Sequence, residues 1–103
     1  MSPDPFACIW EFEVRPGAED AFVTLYNEKG SWVQLFRKAP GYVRTDLYRD
    51  RKRPTRFVTV DHWESEAAFR MFRERYAKEF DALDRTGAQL TVRETPLGEF
   101  RPC

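Results

Sequence analysis

Histidine and cysteine are scarce in this chain: its 103 residues include one His and two Cys. A catalytic zinc site usually takes three protein ligands. His62 and the distant Cys8 and Cys103 do not supply them, so no metal site is expected. Cys8 falls in a strand pattern and Cys103 is the last residue, which makes no disulfide framework and points to a reducing cytoplasm. Net charge is also missing. Seventeen basic residues balance 17 acidic ones, which removes any long-range pull toward nucleic acid or anionic membrane. No apolar run approaches membrane-spanning length, and the opening MSPDPFACIW has neither a basic start nor an apolar run of signal length. The absence of a Gly-rich phosphate loop and of a nucleophile elbow makes nucleotide-binding and hydrolase readings poor. The basic cluster Arg49, Arg51, Lys52, Arg53 and Arg56 lacks the glycine and paired aromatics of an RNA-binding strand, and reads as a solvated hairpin.

Aromatic residues, by contrast, are abundant at 16% of the chain. They bring large apolar area with few rotors, which suits cores, pockets and interfaces. The length fits one domain over residues 1–103, with loose ends at 1–5 and 101–103. Phe6 to Val14 alternates cleanly as a strand, with Phe6, Cys8, Trp10, Phe12 and Val14 on one side. Ala18 to Lys29 carries Phe22, Leu25 and Tyr26 on a helical stripe, and Ser31 caps a second piece bearing Trp32, Leu35 and Phe36. Tyr42 to Asp50 is a second strand, with Val43, Thr45 and Leu47 on one face and Tyr42, Arg44, Asp46 and Tyr48 on the other. Phe57 to Glu64 is a third, antiparallel to the second. Ser65 caps a long second helix, with Phe69, Phe72, Tyr76, Phe80 and Leu83 at helical spacing, which runs to about Arg85 and is ended by Gly87. Gln89 to Glu94 is the fourth strand, with Leu90 and Val92 inward.

This order is the split βαβ pattern, an α+β ferredoxin-like βαββαβ two-layer sandwich with an antiparallel four-stranded sheet and both helices on one face. Ala7 and Ile9, with Val58 and Val60, then lie on the sheet face that the helices leave open. Large apolar patches are rare on soluble monomers, and a second copy is the simplest cover, so a homodimer through the sheet faces is expected.

Candidate chemistry is sparse. His62 suits a general base near neutral pH, although an ordinary strand histidine is the commoner explanation, and Asp61 points to the opposite face. Tyr48 stands in the polar row of the second strand. Trp63, Phe72 and Tyr76 could wall a cavity between helix and sheet, with Trp10, Trp32 and Phe36 closing it; taken singly, each reads as core.

Several motifs resemble the antibiotic-biosynthesis monooxygenase family of dimeric α+β barrel proteins. They are Pro16-Gly17-Ala18-Glu19, Ala39-Pro40-Gly41-Tyr42, the run Val60-Asp61-His62-Trp63-Glu64-Ser65-Glu66-Ala67-Ala68-Phe69, and Pro96-Leu97-Gly98-Glu99-Phe100. The resemblance implies a sheet-to-sheet dimer with a pocket in each subunit for a small aromatic molecule. It also implies cofactor-independent oxidation, in which a bound phenol or enolate gives electrons directly to O₂. In that setting Trp63, Phe72 and Tyr76 would wall the pocket, and Tyr48, His62 or an arginine would handle the proton or the anion. A non-catalytic small-molecule binder is the alternative. The haem-degrading branch fits less well: the first-strand asparagine it uses is replaced by Trp10, and the second helix has no histidine.

Overall fold

The computed structural model describes residues 4–103; the first three residues of the expected loose lead-in lie outside that range. The elements are β1 (Phe6–Val14), α1 (Glu19–Tyr26), α2 (Ser31–Phe36), β2 (Tyr42–Arg49), β3 (Arg56–Trp63), α3 (Glu66–Arg75), α4 (Ala77–Ala88) and β4 (Thr91–Phe100). All strand pairs are antiparallel and the sheet order is β2-β3-β1-β4, so the fold is α+β and ferredoxin-like. No helix is long and apolar enough to cross a membrane among the described residues.

The alternation read from β1 fixes the layers. Phe6, Cys8, Phe12 and Val14 are buried beneath the helices. The register places Trp63, Asp61, Thr59 and Phe57 opposite Phe6, Cys8, Trp10 and Phe12, so these β3 side chains share the helix-covered face. Ala7, Ile9, Val58, Val60 and His62 take the outer face. The core is mainly aromatic rings in tilted and edge-on contact. Phe22 packs on Phe12, Phe57 and Tyr26, and Trp63 packs on Phe36, Tyr42, Phe69 and Phe72. Such pairs add about 0.5–1.5 kcal/mol each beyond their buried area.

Four local features depart from the alternation and helical spacing. In β2 the register passes from Tyr42 opposite Trp63 to Arg44 opposite His62, which leaves Val43 as an extra residue. This bulge puts Tyr42 on the helix-covered face with Thr45 and Leu47, and turns Val43 outward, where it is exposed. The expected long helix breaks at Tyr76, whose φ and ψ are −110° and 30°. The bend lets Phe72 and Phe80 converge on one core. Gly87 lies inside α4 rather than ending it: a Cβ there would stand 2.4 Å from the Tyr26 hydroxyl, so the glycine admits that ring. Finally, β4 runs past Glu94 through Pro96 and Gly98, with Thr91 buried and Val92 exposed, the reverse of the expected facing. Register shifts at Ile9/Trp10 and Glu13/Val14 accommodate this, and an edge strand tolerates a proline because its missing N–H can face solvent. Ser65 caps α3 as expected, accepting from Ala68 N–H at 3.1 Å, whereas Ser31 is the first residue of α2 and Gly30 is its cap.

Candidate active site

The helix-covered face opens at one end. Trp10 and Phe12 of β1, Thr59 and Asp61 of β3 and Thr45 of β2 form a floor there. Tyr26 of α1, Trp32 and Phe36 of α2, and Phe80 of α4 form the walls. Asp84 of α4 and Glu94 of β4 complete the lining. The cavity has a volume of about 60 Å³, and about 480 Å³ of empty space when its open mouth is counted. The interior alone holds only a few waters, so a ring-sized guest must occupy the mouth as well.

Asp61 is the unusual group. A carboxylate on the core parity of a central strand has lost most of its hydration, although its side chain keeps contact with the cavity. Burial pushes its pKa from an ordinary 3.8 up to about 6, against the opposing hydrogen bond from Thr45. Thr45 Oγ1 donates to Asp61 Oδ1 at 2.7 Å, which leaves Tyr42 O–H to donate to Thr45 Oγ1 at 2.8 Å. A chain of donors thus ends on one carboxylate. It exists because the β2 bulge turns Tyr42 inward. Burial raises the Tyr42 phenol as well, so this phenol stays a donor at neutral pH. At the rim, burial and then the Asp84 charge raise the Glu94 carboxyl, while Thr91 Oγ1 donates to it at 3.0 Å. Burial, followed by Glu94, pushes the Tyr26 phenol above its usual range. The Trp32 Nε1–H is buried without an aligned acceptor among the described residues.

The sequence-derived candidates divide. Trp10, Trp32 and Phe36 line this pocket. Trp63 and Phe72, each 1% exposed, are packed core and do not wall it. Tyr76 lines a separate groove with Phe72, Gly41 and Met71, its hydroxyl 3.4 Å from the Lys38 carbonyl oxygen. His62 and Tyr48 do not line this pocket. Strand parity sends both to the outer sheet face, where His62 Nε2 lies 3.0 Å from Asp46 Oδ2 and Tyr48 is 58% exposed. The polar row that paired Tyr42 with Arg44, Asp46 and Tyr48 is divided by the bulge. Parity was the available signal for Asp61: it shares the face of Phe57 and Trp63, where an acid is out of place.

Cys8 and Cys103 are free. Burial pushes the Cys8 thiol up to about 12, which makes it inert as a nucleophile. Among the described residues no group of three or more His, Cys, Asp or Glu side chains is placed to hold a metal ion.

An antiparallel sheet under helices, with an aromatic-lined cavity that holds a carboxyl raised by burial, defines a ferredoxin-like sandwich with a pocket between its layers. The chain belongs to the antibiotic biosynthesis monooxygenase family, whose profile matches residues 5–83. It is similar to SnoaB, a cofactor-independent oxygenase from Streptomyces nogalater, at 23% identity and a TM-score of 0.78, with 97% of this chain and 94% of that one covered. It is also similar to Rv0793 from Mycobacterium tuberculosis, at 21% identity and a TM-score of 0.75, covering 96% of this chain and 95% of that one. A conserved protein from Methanosarcina mazei matches at 15% identity and a TM-score of 0.79, covering 97% and 94% of the two chains. At these identities the likeness establishes the fold alone. No curated protein sequence matches this chain.

Proposed function

We propose that the protein is a cofactor-independent monooxygenase acting on a small aromatic or quinol-type substrate, with Asp61 as the general base. The observation that carries this reading is a carboxyl with a pKa of about 6 inside an aromatic-lined cavity. Family membership and the fold shared with SnoaB support it.

In this mechanism Asp61 takes the proton from a bound phenol or enol, while Thr45 and Tyr42 hold the carboxylate in place. The resulting anion gives one electron to O₂, the radical left behind combines with the superoxide formed, and protonated Asp61 returns its proton to the peroxide anion. The hydroperoxide loses water, so one oxygen atom ends in a carbonyl of the product and the other in water. Trp10, Trp32, Phe36 and Phe80 clasp the ring and exclude solvent, which strengthens the electrostatics of proton removal.

Oxygen uptake by chelator-treated protein with anthrones or hydroquinones tests the reading. Uptake that Asp61→Asn reduces by about 10²-fold or more supports it, and no uptake with any such compound overturns it. The second reading, a binder without catalysis, draws on the outward placement of both His62 and Tyr48. It predicts aromatic binding without oxygen uptake.

The protein acts as a homodimer through its outer sheet face. The apolar half of that face, with Ala7, Ile9, Val43, Val60 and Phe100 around His62, supports this assembly. Sedimentation as a monomer at micromolar concentration would remove it.

A further inference from the structure

The charge around the pocket is one-sided. Asp61, Asp84 and Glu94 line it, and among the described residues no Lys, Arg or His does. A nearby cation, the Arg73 guanidinium, sits 3.9 Å from the Phe80 ring centroid and is not part of the lining. The carboxylates also act on one another's surroundings: Asp84 disfavours ionisation of Glu94, and Glu94, Asp84 and Asp61 all disfavour ionisation of Tyr26. A second feature lies in the same cavity. Trp32 is 7% exposed and lines it, and among the described residues its Nε1–H makes no well-aligned hydrogen bond, the Tyr26 hydroxyl being the polar group beside it. The core Trp63 Nε1–H is likewise unpaired among the described residues. Buried donors are normally paired. A guest carbonyl seated against the Trp32 indole edge would give its donor a well-aligned acceptor.

We propose that the pocket is charge-selective. It takes aromatic guests that present O–H or N–H donors to Asp61 and Glu94, and its rim acids Asp84 and Glu94 reject guests that carry a carboxylate. Such an anion would surrender hydration on entering an aromatic cage, meet two like charges and find no cation among the lining residues. A hydroxyl or ammonium in the same place meets acceptors and, over Trp10 or Trp32, the negative face of a ring. The inference rests on reading this cavity as the guest site, and not on the oxygen chemistry.

Calorimetric titration at about pH 8, above the value of about 6 to which burial raises Asp61, with naphthol, naphthylmethylamine and naphthoate separates ring fit from charge. The carboxylate is expected to bind at least about tenfold more weakly than the other two. The double variant Asp84→Asn with Glu94→Gln is expected to shrink that gap to less than about threefold. Asp84 is exposed, so Asp84→Asn alone is a second variant that keeps the fold; it should narrow the gap in part. Equal binding of naphthoate and naphthol, a gap unchanged in the double and single variants, or no binding by any of the three overturns the proposal. The charge order without oxygen uptake leaves it standing and removes the oxygenase reading. Oxygen uptake with neutral and carboxylated substrates alike does the reverse.

Discussion

Replacing Asp61 by asparagine should make the protein more stable at neutral pH while it costs the proposed activity. The sign follows from the direction of the shift. Folding raises this carboxyl from an ordinary 3.8 to about 6, so the folded chain holds the proton more tightly than the unfolded one. Stability is therefore unpenalised below about pH 4, falls as pH rises toward 6, and carries the full penalty above it. At 1.36 kcal/mol per pH unit the rise corresponds to about 3 kcal/mol. Water in the pocket mouth and an imperfectly satisfied Asn amide reduce the gain, so about 1–3 kcal/mol is expected at about pH 7.5. For a chain of this length that is a rise in Tm of roughly 5–15 °C. Asn can still accept from Thr45 through its side-chain oxygen, so the local geometry is retained. Thermal or urea unfolding of both proteins at about pH 4 and about pH 7.5 measures the effect. A gain at neutral pH that vanishes in acid is the expected result. Equal gains at both pH values, or a loss at the higher one, would refute the burial argument, and the proposed base would lose its physical basis.

Three further outcomes follow from the same geometry. Thr45→Val removes a hydrogen bond that favours the charged carboxylate, so the acid limb of the pH–activity profile should move to higher pH; an unmoved limb would detach Asp61 from the reaction. Gly41→Ala should destabilise by about 1–3 kcal/mol in urea unfolding, because Gly41 has a φ of +91° and a new Cβ would stand 2.5 Å from the Ala68 Cβ. Ser65→Ala should cost about 1 kcal/mol by the same assay through loss of the α3 cap, with the pH–activity profile unchanged.

Period-two alternation made β1 and β3 legible residue by residue, because Phe6 to Val14 and Phe57 to Trp63 obey it without interruption. Tyr42 was misplaced because a bulge is not written in hydrophobicity: Val43 is as plausible inside as outside, and the register shift depends on how β2 meets β3. The same holds for β4, where Thr91 is buried in place of Val92. The break at Tyr76 has no Gly or Pro to announce it; it is imposed by the need of Phe72 and Phe80 to reach one core. For the site, aromatic type was enough to nominate Trp10, Trp32 and Phe36, but not to decide that Trp63 and Phe72 would be packed solid. His62 drew attention as the chain's single histidine, the residue type most used for proton transfer. The group that burial shifts toward neutrality is its neighbour Asp61. Such a shift belongs to tertiary surroundings and not to residue type.

The single extra residue in β2 has a consequence for any position-by-position substitution map of this strand. From Arg44 onward, tolerance should beat in twos, with odd positions sensitive and even ones permissive, as Thr45 and Leu47 face inward and Asp46 and Tyr48 outward. At Val43 the beat should skip, leaving Tyr42 in step with positions whose numbers differ from its own by odd amounts. Excising Val43 would even out the rhythm and leave the phenol where it is, because Tyr42 would then directly precede the outward Arg44 and stay opposite Trp63; the spare residue is dispensable to the pocket's acids.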